Sequence, residues 1–174
     1  MSNVYMISDL HLGHKKILDF ESTLRFGDSS LEHDHILITR IAHVCNSKKD
    51  ILWILGDVCM DMERVDMLAE IPARKILVRG NHDQFDLGVY TKYFEKIYGI
   101  VSYRGYWISH APIHPAELRG RKNIHGHVHR NSIMKSQYTQ EKDDNYINVC
   151  VENCAGYPVN FQDIKNNIFK GAIK

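Results

Sequence analysis

Short apolar runs alternate with polar clusters along the first half of the chain. Three of these runs are rich in β-branched and aliphatic residues, which predicts buried strands. They span residues 4–8, 51–55 and 75–78. Apolar positions at helical spacing predict a helix over 30–47, and a shorter predicted helix over 61–71 ends at the proline that follows it. This order of elements predicts an α/β fold with a largely parallel sheet and right-handed crossovers.

In the second half, the apolar segments lie closer together and predict further strands. These segments span 96–103, 106–110, 122–128 and 145–151. The first two flank Arg104 and Gly105, which predicts a β-hairpin. Asn160 suits the N-cap of a final helix over 160–169. Because no repeat or low-complexity linker interrupts the pattern, we expect a single domain over 1–174.

The net charge of the chain is small. The formal charge at pH 7 is +1 over 174 residues, with 25% charged and 44% hydrophobic residues. This balance provides no broad electrostatic field for nucleic acid or an anionic membrane, so we expect no strong non-specific nucleic-acid binding. No apolar run approaches the roughly 20 residues that cross a bilayer, and we expect no membrane partner.

The chain contains four cysteines, none of them in a CxxC pair. They are Cys45, Cys59, Cys150 and Cys154. No secretory signal precedes the first predicted strand. We therefore expect free, buried thiols in a reducing cytoplasm rather than disulfides. A zinc site at Cys150 and Cys154 is the alternative, for which the CxxxC spacing is weak support.

Polar clusters follow the predicted strands, at the ends where α/β proteins bind ligands. In chain order they are Asp9-Leu10-His11, Gly56-Asp57, Gly80-Asn81-His82-Asp83, His110 and Gly126-His127-Val128-His129. In the first and last clusters the two polar residues are separated by one position, and on an extended chain such residues point to one side. Carboxylate, amide and imidazole groups suit divalent ions such as Mn²⁺, Fe²⁺, Zn²⁺ and Ni²⁺. The clusters therefore predict a metal site.

In this order, the five clusters resemble the DxH, GD, GNH(D/E), H and GHxH motifs of the calcineurin-like metallophosphoesterase family. The resemblance extends over residues 9–129, and the segments DLHLGH and HAPIHPAEL make the chain similar to small, single-domain bacterial and phage phosphoesterases. It implies a four-layer α/β/β/α sandwich, in which two mixed sheets lie face to face and are flanked by helices. It also implies two divalent metal ions, with Mn²⁺ as the first candidate and Fe²⁺, Zn²⁺, Ni²⁺ or Mg²⁺ as alternatives.

The resemblance assigns ligands to each metal. Those implied for the first metal are Asp9, His11, Asp57 and His129. Those implied for the second metal are Asp57 as the bridge, Asn81, His110 and His127. A hydroxide between the two ions would be the nucleophile. His82, oriented by Asp83, would protonate the leaving oxygen.

The implied activity is hydrolysis of a phosphate ester, by a phosphodiesterase or a phosphatase, with a small nucleotide-like substrate. His14 and Arg119 are candidate substrate contacts, although His14 also suits helix capping and Arg119 a solvated loop. The rival interpretation is a catalytically silent scaffold of the same fold. A scaffold is free to lose active-site residues, whereas this chain keeps all five motifs, including His82. The sequence therefore favours an enzyme.

Overall fold

Two β-sheets form the framework of the protein, in a computed structural model that describes residues 2–20 and 25–169. From one edge to the other, the first sheet contains Lys96–Tyr98 (β4), Arg74–Val78 (β3), Ile51–Ile54 (β2), Val4–Ile7 (β1) and Val159–Asn160 (β9). Strands β1 to β4 are parallel, and β9 is antiparallel to β1. Because parallel strands end at the same edge of a sheet, the polar clusters that follow β1, β2 and β3 are brought together.

The second sheet supplies the remaining two clusters. Its strands, in spatial order, are Ile100–Tyr103 (β5), Tyr106–Ser109 (β6), Lys122–His125 (β7) and Tyr146–Asn148 (β8). Strands β5 and β6 are antiparallel, whereas β6, β7 and β8 are parallel. The backbone N–H of Ser8 donates to Val149 O at 3.0 Å, so the chain just beyond β1 meets the chain just beyond β8. The ends of both sheets therefore border one site.

The helical segments in the described ranges are Ile17–Phe20 (α1), Ser30–Val44 (α2), Leu87–Tyr90 (α3), Phe161–Lys165 (α4) and the 3₁₀ helices Met62–Glu70, Pro115–Glu117 and Val151–Asn153. Helix α2 and the 3₁₀ helix Met62–Glu70 pack on the face of the first sheet away from the second sheet, whereas α4 packs Phe161 and Ile164 into the core between the sheets. Helix α2 begins after Ser29, whose side chain accepts a hydrogen bond from Glu32 N, and it buries Leu37 and Ile41 in the core. No helix in the described ranges has the length and apolar character needed to cross a bilayer.

Apolar side chains of both sheets form a second core between them. Met6, Trp53 and Val78 from the first sheet share this cluster with Ile108 and Ile124 from the second. The outer face of the second sheet contacts the loop after β6, because Trp107 Nε1 donates to Leu118 O at 3.3 Å. The predicted α/β fold of two mixed sheets with flanking helices is thus confirmed.

The boundaries of several predicted elements differ from the structure. The predicted strand over 96–103 divides at Gly99: residues 96–98 pair in parallel with β3 in the first sheet, and only β5 forms the hairpin with β6. By crossing to the first sheet, β4 pairs with the backbone groups at the edge of β3. The helix predicted over 61–71 is a 3₁₀ helix, and the final helix ends at Lys165.

Candidate metal centre

The polar residues predicted to bind metal lie in turns after the strands, not on extended chain. Positive φ angles occur at Asp9 (61°), His11 (50°), Asp57 (52°), His127 (70°) and His129 (50°). These are five of the nine non-glycine residues with positive φ in the described ranges. The expectation that Asp9 and His11, and likewise His127 and His129, project from extended chain is therefore wrong. The strand predicted over 122–128 ends earlier, at the end of β7. Such left-handed backbone is unfavourable for residues with a Cβ and is concentrated at functional sites.

The first group of ligand atoms belongs to Asp9, His11 and His129, and these atoms lie within 4.8 Å of one another. Asp9 Oδ1 and both ring nitrogens of His11 are buried and have no hydrogen-bond partner among the described residues. Leaving buried polar atoms unpaired costs about 1–3 kcal/mol each unless another ligand satisfies them. A divalent cation bound by these atoms would satisfy them.

The second group is formed by Asp57, His110 and His127, and Asn81 adjoins it. His110 Nε2 lies 3.4 Å from Asp57 Oδ2 and 3.1 Å from His127 Nδ1. The side-chain oxygen of Asn81 lies 2.9 Å from the same nitrogen. Four potential ligand groups therefore lie close together around His110 Nε2, and they are the residues that the resemblance assigns to the second metal.

Asp57 lies between the two groups. Its Oδ2 atom is 3.7 Å from His11 Nε2 and 3.4 Å from His110 Nε2. Its Oδ1 atom accepts a hydrogen bond from the backbone N–H of His82 at 2.9 Å. Gly80 approaches this carboxylate so closely that a Cβ at that position would collide with it. The arrangement fits a carboxylate that bridges two divalent ions held by mixed oxygen and nitrogen ligands.

Hydrogen bonds orient two of the imidazoles toward the site. His110 Nδ1 donates to Leu55 O at 2.8 Å, since a carbonyl oxygen can only accept. His129 Nδ1 donates to the carboxylate of Glu152 at 3.0 Å. Each ring therefore keeps the lone pair of Nε2 free for a metal. Glu152 is not among the residues predicted from the sequence, although its position directly after the last predicted strand matches that of the other clusters.

Burial and neighbouring charges shift the pKa values of three ligands. Although burial opposes ionisation of Asp9, contact with His11 and the nearby His110 hold the pKa of its carboxyl well below the usual range. Burial lowers the pKa of His127, which keeps this imidazole neutral and able to bind metal. The hydrogen bond to Glu152 raises the pKa of His129, so this ligand gains a proton more readily as the pH falls.

Of the two residues that follow Asn81, the first is exposed and the second is buried. His82 is exposed, and its ring centroid lies 5.7 Å from that of His11. Asp83 is buried and does not orient His82 in the expected way. Its two carboxylate oxygens accept from the backbone N–H groups of Gly80 (2.7 Å), Asp57 (3.0 Å) and Val58 (2.9 Å). Asp83 thus connects the turn after β2 to the turn after β3.

Replacing Asp83 with alanine is expected to lower the free energy of unfolding by roughly 3–5 kcal/mol, because three backbone amides, two of them buried, lose a charged acceptor. The unfolding midpoint in urea would measure the loss. Asp86→Ala is the control, since Asp86 is exposed and its side chain makes no capping hydrogen bond to α3. A loss below about 1 kcal/mol in Asp83→Ala would contradict this role.

The two predicted substrate contacts lie in different places. The ring of His14 is 5.8 Å from that of His11, edge-on, and His14 Nδ1 also accepts from Lys16 N at 3.2 Å. His14 therefore borders the ligand groups and contacts the backbone just before α1. Arg119 is exposed, pairs with Glu117 at 3.2 Å and lines a separate cavity with Trp107.

The four cysteines are free thiols, as expected. Cys150 donates its S–H to Asp9 Oδ2 at 3.1 Å, and the backbone N–H of His127 donates to the same oxygen at 2.9 Å. Cys154 Sγ donates to Cys150 O. Cys150 thus supports a ligand of the first group, a contact that its sequence position alone did not indicate.

His125 precedes the last cluster and is buried beside Tyr146. Burial lowers its pKa to about 4, so the folded protein holds it neutral. The unfolded chain accepts this proton near pH 6.5, and stability is lost as the pH falls from there toward 4. Between about pH 7.5 and about pH 5, we expect His125→Gln to remove a pH dependence of about 2 kcal/mol in metal-free protein. Urea unfolding at about pH 7.5 and about pH 5 tests this, and equal acid sensitivity of both proteins would contradict it.

Two adjoining ligand groups at the ends of the strands of a two-sheet α/β fold define a metallophosphoesterase. A family model described as calcineurin-like phosphoesterase matches residues 2–163, and the chain belongs to this family.

Several proteins resemble the chain along part or most of its length. It is 29% identical to the uncharacterized protein MJ1445 of Methanocaldococcus jannaschii, over 99% of this chain and 95% of that one. It is 35% identical over 88 residues to the Gene 66 protein of Mycobacterium phage L5. That match spans 48% of this chain and only 41% of the phage protein.

Two solved structures share the fold. The protein of unknown function AQ665 from Aquifex aeolicus superposes with a TM-score of 0.75 at 28% identity, over 96% of this chain and all of that chain. The Pseudomonas putida nuclease MPE superposes with a TM-score of 0.52 at 18% identity, over 76% of this chain and 64% of the nuclease. At that identity the nuclease shows a likeness of fold alone.

Proposed function

We propose that the protein is a dinuclear-metal-dependent hydrolase of phosphate esters that acts on small, nucleotide-like substrates. The observation that carries this proposal is the position of Asp57, which lies within 4 Å of a histidine in each ligand group. The unpaired buried atoms of Asp9 and His11 support it further. Mn²⁺ is our first candidate because the ligands mix carboxylate, amide and imidazole, with Fe²⁺, Zn²⁺, Ni²⁺ and Mg²⁺ as alternatives.

The chain's own residues then have distinct roles. When bound, the two ions supply a hydroxide nucleophile and neutralise charge on the phosphoryl oxygens. Asp57 Oδ1 accepts a hydrogen bond from His82 N, and this bond holds the turn after β3 beside the ligand groups. The exposed imidazole of His82 is available to a substrate bound there, and we assign it the protonation of the leaving oxygen. Asp83 acts indirectly, because it holds the turns that carry Asp57 and His82.

A cavity beside the ligand groups supports an anionic substrate. It has a volume of about 490 Å³ and is lined by Gly13, His14, Lys15, Lys16, Met60 and Asp61. Its two lysine ammonium groups outnumber the single carboxylate of Asp61 and attract a phosphate, while His14 and Met60 offer aromatic and apolar surface. The cavity of Arg119, about 420 Å³ and lined by Trp107, is the second place where the organic part of a substrate can bind. The four free thiols fit the reducing cytoplasm.

Hydrolysis of bis-p-nitrophenyl phosphate and p-nitrophenyl phosphate, with Mn²⁺ and with a chelator, tests the proposal. Metal-dependent turnover of the diester would identify a phosphodiesterase, and turnover of the monoester alone a phosphatase. A protein that binds Mn²⁺ and hydrolyses neither these esters nor a panel of nucleotides would contradict the proposal. That result would favour the scaffold interpretation.

A further inference from the structure

A buried ion pair lies behind the first ligand group. Arg25 donates to Glu152 Oε1 through Nε at 2.8 Å and Nη2 at 2.6 Å, and both side chains are completely buried. The same oxygen accepts the hydrogen bond from His129 Nδ1 at 3.0 Å. A single carboxylate oxygen thus connects the guanidinium of Arg25 to the imidazole of a predicted metal ligand.

The other contacts of Arg25 lead to the remaining ligands of this group. Its Nη2 atom donates to Asp9 O at 2.7 Å, and Nη1 donates to Leu10 O at 3.2 Å. These carbonyls belong to the left-handed turn that carries the side chains of Asp9 and His11. Arg25 therefore joins the turn after β1 to the segment that carries His129. Those two segments supply all three ligands of the first group.

The hydrogen bonds that surround Arg25 extend to the residues after His11. His33 Nε2 lies 3.3 Å from Arg25 Nη1, and its Nδ1 is 2.9 Å from Asp34 Oδ1. The other oxygen of Asp34 accepts from Gly13 N at 2.8 Å. Both ends of the turn from Asp9 to Gly13 are therefore held by one set of buried polar groups.

We propose that Arg25 and Glu152 are positioning residues that hold His129 and the Asp9–His11 turn in the geometry that binds the first metal. The proposal rests on the metal centre of the proposed function and deepens it. A buried ion pair is weak support for stability, because removing two charges from water costs about as much as their attraction returns. Fixing a ligand's ring and tautomer, by contrast, strengthens metal binding directly.

Glu152→Gln is expected to weaken Mn²⁺ binding about 10- to 100-fold, the usual effect of losing a hydrogen-bond partner of a metal ligand. Binding is measured by titrating Mn²⁺ into chelator-treated protein and following the electron paramagnetic resonance signal of the free ion. Glu95→Gln is the matched control, since Glu95 forms an exposed pair with Arg74 at 2.8 Å. Urea unfolding in the presence of chelator shows whether each variant is folded.

A double-mutant cycle separates positioning from general support of the structure. If Glu152 acts through His129, Glu152→Gln causes no further loss of Mn²⁺ affinity in a His129→Ala background. Additive losses, or unchanged affinity in folded Glu152→Gln, overturn the proposal. If Glu152→Gln does not fold, Arg25→Lys replaces it, with Arg74→Lys as its control. Because Arg25 also donates to Asp9 O and Leu10 O, Arg25→Lys is expected to weaken Mn²⁺ binding in the wild-type and the His129→Ala backgrounds, and unchanged affinity in folded Arg25→Lys overturns the proposal.

Activity distinguishes this proposal from the proposed function. Wild-type protein that binds Mn²⁺ and hydrolyses no phosphoester overturns the function alone, and the Mn²⁺ affinities of the variants still test the positioning role. Wild-type protein that binds no Mn²⁺, Fe²⁺, Zn²⁺, Ni²⁺ or Mg²⁺ overturns both proposals.

Discussion

Replacing Asp57 with alanine is expected to remove metal from both ligand groups and to lower phosphoesterase turnover at least about 10³-fold. Asp57 Oδ2 lies within 4 Å of both His11 Nε2 and His110 Nε2. Without this charge, the first group retains the carboxylate of Asp9, whereas the second group loses its carboxylate. Metal content per chain after dialysis against Mn²⁺, and the rate with bis-p-nitrophenyl phosphate, measure the two losses.

Two further variants test whether the effect of Asp57→Ala comes from the loss of the charge at this position. Asp57→Asn keeps the shape of the side chain and an oxygen for the N–H of His82, so it tests the charge with less disturbance of the turn. Asp144→Ala removes an exposed carboxylate from a loop and is expected to leave metal content and rate unchanged. Two tightly bound metal ions in folded Asp57→Ala would contradict the bridging role.

Replacing His82 with alanine is expected to leave both metals bound and to lower turnover about 10²- to 10⁴-fold, the range associated with a general acid. The backbone N–H of His82, which alanine retains, makes the hydrogen bond to Asp57. The ring belongs to neither ligand group and is exposed beside His11. The same metal analysis and rate measurement, applied to substrates with good and poor leaving groups, check both parts of the prediction.

The leaving group decides whether His82 acts as an acid. A substrate with a good leaving group needs little protonation, so it should lose less rate in His82→Ala than a substrate with a poor one. His43→Ala, which removes an exposed imidazole from α2, serves as the control. Release of metal from His82→Ala would show that the assignment of His82 to the substrate rather than to a metal is wrong.

The sequence by itself determined the order of the elements and the residues that meet at the site. Strands β1, β2 and β3 are apolar runs whose pattern is local, and each is followed by a polar cluster. Parallel strands must end at a common edge, so the grouping of Asp9, Asp57 and Asn81 follows from topology alone. The motif order then connected these residues to His110 and His127 on the second sheet.

Only the tertiary structure decided how the ligands are held. The left-handed backbone of Asp9 and His11 places a strained turn where the sequence predicted extended chain. Asp83 accepts from three backbone N–H groups, and no sequence pattern distinguishes that role from a contact with the neighbouring His82.

The ion pair between Arg25 and Glu152 joins residues 127 positions apart. Neither residue belongs to a motif, and their contact depends on how α2, β1 and the segment after β8 pack together. Local propensity and spacing describe a residue's relation to its neighbours in the chain. A polar group needs a hydrogen-bond partner within the protein once it is buried. Which polar groups are buried is decided only when distant segments of the chain pack together.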